Sequence, residues 1–141
     1  MRNFLKSSVL LSGTALIMAN TNSLLSLDKI INNFGWEKRI ILLIADHEDT
    51  NLIDGVETFF AASECQNKNR NLVLHKIVGD EITKYSMPKR YKGKRGIWLI
   101  GYDGDDKAYS RDLSLLHQLY DLIDAMPVRQ NEMLRQASSC D

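Results

Sequence analysis

The clearest regularity along the chain is the run Arg39-Ile-Ile-Leu-Leu-Ile-Ala45, apolar after its first position and rich in β-branched side chains. Continuous apolarity over that length predicts a strand covered on both faces. Upstream, Leu24, Leu27, Ile30 and Ile31 recur at three- and four-residue spacing, which predicts a short amphipathic helix over residues 23–34, ending near Gly35. Downstream, the polar stretch 46–51 gives way to Leu52, Ile53, Val56, Phe59 and Phe60 on one helical face, a helix over 51–65. Residues 71–78 supply a second strand, parallel to the first because a helical crossover separates them. The following stretch, 79–94, is irregular, with a short helix around 81–85 that Met87-Pro88 interrupts.

A third strand spans 94–100, and Asp103-Gly104 favours the positive φ values of a turn that returns a fourth strand over 106–110. After a cap at Asp112 or Ser114, Leu113, Leu116, Leu119, Tyr120 and Ile123 make the strongest amphipathic stripe in the chain. Ala125-Met126-Pro127 ends that helix, and 128–137 continue as a second short one with Pro127 near its first turn. A βαβ unit followed by a ββα unit is the order of the thioredoxin fold. The expectation is therefore an α/β, thioredoxin-like domain over residues 24–141, a mixed four-stranded sheet flanked by helices. At 141 residues, with no internal repeat and no linker, one core is expected.

The first residues follow a different logic. Arg2 and Lys6 precede the apolar run 7–19, and the chain turns polar at residues 20–23. A basic start, a short apolar middle and small residues where a peptidase can cut are the marks of a secretory signal peptide, here 1–23 with cleavage after Ala19 or Ser23. The run is too short for a membrane span, which takes about 20 apolar residues. An N-terminal helix packed on the domain is the alternative. Export predicts a periplasmic or secreted protein without a transmembrane segment in its mature form.

Charge adds to this picture. Eighteen basic residues balance 18 acidic ones, so bulk attraction to nucleic acid is not expected, and cleavage after Ala19 leaves 16 against 18. With 44% hydrophobic residues and only 2 prolines, disorder is excluded. Two cysteines are too few for a disulfide scaffold or a four-cysteine zinc site. In an oxidising compartment Cys65 and Cys140 have one possible pairing, whose long loop would stabilise by about 4 kcal/mol; the alternative is two unpaired thiols.

The stretch Trp98-Leu-Ile-Gly-Tyr-Asp-Gly104 and the ending Ile123-Asp-Ala-Met-Pro-Val-Arg-Gln-Asn-Glu-Met133 resemble the domain of unknown function DUF4174. Trp36 before the first strand and Val78-Gly-Asp80 after the second fit it less specifically, and the resemblance spans roughly residues 27–136. It implies a thioredoxin-like or peroxiredoxin-like domain, often exported and similar to domains of animal secreted matrix-associated proteins, whose activity is not established.

Thioredoxin-type chemistry needs a cysteine after the first strand, where helix amides lower the thiol pKa. That place reads Asp46-His47-Glu48-Asp49-Thr50-Asn51, and Pro88 lies several residues too early to serve as the proline before the third strand. Asp46, His47 and Asp49 nonetheless sit where open α/β sheets place ligand groups, either as a binding or acid–base site or simply as acids favouring a helix N-terminus. The span 46–57 has the length of a calcium loop, but Asn51 stands where its glycine belongs. Six cations between Lys84 and Arg95, with Lys89, Arg90 and Lys92 at their centre and Tyr85 and Tyr91 among them, form either an anion-binding loop or a solvated one. Asp124, Arg129 and Glu132 can form an ion-pair network around Pro127. No cofactor and no metal site is expected.

The functional expectation is an exported, non-catalytic thioredoxin-like domain, a binding or accessory module for an envelope protein or an anionic ligand. The alternative is an enzyme: an atypical thiol oxidoreductase or peroxidase using Cys65 or Cys140, or an acid–base catalyst built on Asp46 and His47.

Overall fold

The computed structural model describes residues 23–137 and Cys140. The expected signal segment 1–23 falls, except for Ser23, outside the described residues. Seven strand residues, β2 (Arg39–Ala45), are buried along their whole length, as continuous apolarity requires. They form the inner strand of a sheet completed by β3 (Leu72–Val78), β5 (Gly96–Ile100) and β6 (Asp106–Ser110), in the order β3-β2-β5-β6. β3 runs parallel to β2, from Arg39 opposite Leu72 to Ala45 opposite Val78. β5 runs antiparallel to β2 with Leu42 opposite Trp98, and β6 antiparallel to β5 with a bulge at Leu99/Ile100. A separate two-stranded pair, β1 (Leu25–Ser26) with β4 (Tyr85–Ser86), runs parallel.

Alternation sends β2 side chains to two different cores. Ile41, Leu43 and Ala45 pack with Ile97 and Leu99 against Val56 of α2 (Thr50–Ala62) and Leu115, Leu119 and Ile123 of α4 (Ser114–Asp124). Ile40, Leu42 and Ile44 pack with Trp98 and Ile100 against Leu27 and Ile31 of α1 (Leu27–Asn33), together with Ile77 and Tyr91. Helices thus flank both faces of a mixed sheet. Among the described residues no helix is long and apolar enough to cross a membrane.

Three elements differ from the sequence expectation. The first helix starts at Leu27 rather than residue 23, because 25–26 pair with 85–86 and the Ser26 hydroxyl accepts from the Lys29 amide at 3.3 Å. The helix after β2 stops at Ala62, and Glu64–Asn69 form a separate helix, α3, so Cys65 belongs to α3. The basic loop is anchored rather than open: Tyr91 is 1% exposed, its ring lies edge-on to Trp98, and its hydroxyl donates to Asp106. Burial and that carboxylate push the Tyr91 phenol well above its ordinary value, so it stays a donor.

α5 (Pro127–Arg135) packs beside α4, with Pro127 in its first turn as expected. Trp36, in the turn before β2, holds a left-handed backbone at φ 63 with 70% of its surface exposed. That conformation costs a residue other than glycine roughly 1–2 kcal/mol. Its amide donates to the Tyr102 carbonyl at 2.9 Å, and the two rings lie 6.4 Å apart.

Candidate functional site

Two polar regions stand at opposite ends of β2. At its carboxyl end, the turn 46–49 leads into α2, and the acids expected there are brought to the last cation of the basic loop. Arg95 Nη1 pairs with the Asp46 carboxylate and lies 3.7 Å from Asp49 Oδ2. Asp49 also accepts from the Asp46 amide at 2.9 Å, which folds the turn and leaves the first turn of α2 without a side-chain cap. His47 packs over Gly79, whose φ of +60 suits glycine; an added Cβ would meet the imidazole at 2.2 Å.

A cavity of about 620 Å³ opens beside this turn. Glu48, Asp49, Arg95, Arg111 and Asp112 supply its charges, with His117 and the starts of α2 and α4 on its walls. The N-cap position of α4 is Leu113 rather than the expected Asp112 or Ser114; Asp112 accepts from the Ser114 amide at 2.9 Å, and hydrogen bonding from the Ser114 side chain and amide holds its carboxyl below the usual range. The lining carries acids and bases together, so it suits a polar partner surface more than a single charged ligand.

The other sequence-derived candidates do not join this cavity. Arg90 reaches Asp28 at 3.4 Å and Asp106 at 3.6 Å and lies over the Tyr91 ring. Lys89 and Lys92 are exposed and form no ion pair among the described residues. His75 is lowered in pKa, chiefly by burial, and meets Tyr85 Oη at 3.3 Å. Among the described residues no three histidines, cysteines or carboxylates gather as a metal site.

At the amino end of β2 lies a denser arrangement. Arg39, 1% exposed, donates from Nη1 to the Arg70 carbonyl at 2.8 Å, to Tyr102 Oη at 3.0 Å and to Glu132 Oε1 at 3.0 Å. Its guanidinium lies 4.1 Å from the Tyr102 ring centroid, and the Tyr102 hydroxyl donates to the other Glu132 oxygen. Arg70 grips Asp124 with two hydrogen bonds, 3.0 and 2.8 Å, the paired geometry that favours arginine over lysine. Arg129, 2% exposed, bonds Asp124 at 3.1 Å, the Asn69 carbonyl at 3.0 Å and Glu132 at 3.4 Å. The Asp124, Arg129 and Glu132 pairing was visible in the sequence. Arg39, Arg70 and Tyr102 were not, although an arginine opening a fully apolar strand was a signal that its charge needed a buried partner.

Beside this cluster the structure joins Cys65 to Cys140 by a disulfide, with Cα atoms 5.8 Å apart. The bridge ties α3 to the segment that follows α5.

Burial raises the pKa of Asp124 and Glu132, but the arginines around Asp124, and Tyr102 with Arg39 around Glu132, outweigh it, and both carboxyls titrate below their ordinary values. Groups depressed in the folded state contribute stability that is complete above the unfolded values of about 3.9 and 4.3 and is lost as pH falls through the lowered ones. The urea midpoint is therefore expected to hold steady from pH 7 to about 5 and to fall below about pH 4. A midpoint unchanged down to pH 3 would contradict this.

A mixed α/β domain locked at one end by buried ion pairs is the class that fold and site define. The family described as "Domain of unknown function (DUF4174)" matches residues 30–132, and the chain belongs to that family. The matched region contains every residue of the arginine–carboxylate cluster and ends on Glu132. No curated protein and no solved structure matches the chain.

Proposed function

We propose that this protein is an exported, thioredoxin-like domain without thiol chemistry that serves as a binding or accessory module in the cell envelope. The sheet order supports the likeness: the second strand is parallel to the first, the third antiparallel beside it, and the fourth at the edge. One observation carries the non-catalytic reading. The start of α2, where such enzymes hold their nucleophile, has Asp49 and Thr50, while the two cysteines of the chain are bonded to each other near the other end of β2. Thiolate attack needs a free sulfur at a helix start; Cys65 does lie in the first turn of α3, but its sulfur is bonded to that of Cys140. The 620 Å³ cavity occupies the same place and offers mixed charge to a partner.

Wild type and a Cys65→Ser, Cys140→Ser variant, assayed for peroxide and disulfide reduction, are expected to be equally inactive. Turnover in wild type that the variant lacks sinks the proposal. The export part is tested by sequencing the amino terminus of protein recovered from the envelope fraction: a start after Ala19 or Ser23 is expected, and an intact Met1 in cytosolic protein overturns it.

A further inference from the structure

The arginine–carboxylate cluster does not balance. Three guanidiniums, Arg39, Arg70 and Arg129, face two carboxylates, Asp124 and Glu132, and all three arginines are buried. One positive charge is left over among the described residues, in surroundings where an unmatched charge is costly.

The surplus can be located. Asp124 accepts from Arg70 on both oxygens and from Arg129 Nε on one of them, so it is fully engaged. Glu132 is shared between Arg39 and Arg129. Arg129 spends Nε on Asp124 and Nη1 on Asn69 and Glu132, and among the described residues its Nη2 has no hydrogen-bond partner. Arg70 and Arg129 also line a cavity of about 290 Å³ between α3 and α5, whose other walls are Gln66, Asn69, Met133 and Gln136. Among the described residues no carboxylate lines it. Gln66 turns its side-chain oxygen to Arg70 at 2.9 Å, so its amide nitrogen remains as a donor. Cationic and amide donors without a competing acid are the lining an anion requires, and a planar guanidinium held in place by other bonds meets an oxyanion without further ordering. The larger cavity beside α2 lacks this character, since Glu48, Asp49 and Asp112 share its walls.

We propose that the cavity between α3 and α5 is a binding site for a small oxyanion, a phosphate or a carboxylate group, held by Arg129 and Arg70 with Gln66 in support. The anion neutralises the surplus charge of the cluster, so its binding also tightens α5 against the sheet. The site is independent of the thiol question and stands or falls separately from it.

The test uses full-length protein with its disulfide intact, titrated with inorganic phosphate or with acetate against chloride at constant ionic strength. The readout is the set of arginine Nε–H and backbone amide signals in nitrogen–proton correlation spectra. Saturable shifts at Arg70 and Arg129 and in segments 66–70 and 129–136 are expected for at least one of the two anions, and which one saturates identifies the preferred oxyanion. Met133 is partly exposed and outside the ion pairs, so Met133→Glu brings a repelling charge to the cavity wall without breaking the cluster. It should weaken binding at least tenfold, and Met133→Gln should leave it within twofold. Saturation with neither anion, shifts spread evenly over the surface lysines, or equal binding by the two Met133 variants overturns the proposal.

Discussion

Glu132→Ala is expected to lower the stability of the domain by about 3 kcal/mol, the lower end of what breaking a buried ion pair costs. Arg39 then keeps its hydrogen bonds to the Arg70 carbonyl and Tyr102 but has no carboxylate, and it lies 1% exposed at the start of the central strand. Glu132 is itself 15% exposed, which is why the lower end applies. Glu132→Gln keeps two polar atoms for Arg39 and Tyr102 and should cost roughly half as much. Replacing both partners, Arg39→Met with Glu132→Leu, should recover much of the loss, because the penalty comes from the orphaned charge. Urea unfolding followed by far-ultraviolet circular dichroism measures all three, and a Glu132→Ala midpoint equal to wild type would show that the pair contributes nothing.

Removing the disulfide is expected to act by a different route. The bridge closes a loop of sequence separation 75, and its loss restores chain entropy to the unfolded state worth about 4 kcal/mol. The native contacts of α5 through Asp124, Arg129 and Glu132 remain, so Cys65→Ser, Cys140→Ser protein should keep its circular dichroism spectrum at 25 °C while its urea midpoint falls. Bridge and ion pairs hold the same segment, so combining this change with Glu132→Ala should not give an additive loss. A double-serine variant within 1 kcal/mol of wild type would mean that the unfolded chain is already constrained without the bridge.

How much of this was legible in sequence depends on the range of each interaction. β2 and α4 were read correctly because apolar runs and helical stripes are local patterns, and the hairpin between β5 and β6 because Gly104 takes the φ of +83 that its turn demands. The break at Ser63 was missed because no proline or glycine marks it. Asp46 and Asp49 were visible as a cluster, but their pairing with Arg95 spans nearly fifty positions and depends on how the loop returns. The same loop offered Tyr91 as a stacking surface, whereas its aromatic body was better used under Trp98. Most of the arginine cluster lay beyond reach for the same reason: Arg39 meets Glu132 across 93 positions, and only the short-range members around Pro127 share a stretch of sequence.

Tyr102 links two features of unlike character, since its hydroxyl belongs to the buried cluster while its ring faces the solvent-exposed indole of Trp36. The other indole, Trp98, is 3% exposed in the opposite core. The chain thus carries two tryptophans, one exposed and expected to emit further to the red, the other buried and expected to emit further to the blue. Loosening of α5 changes the emission of the first and collapse of the sheet that of the second, so fraying at one end and global unfolding can be told apart in a cuvette without any added label.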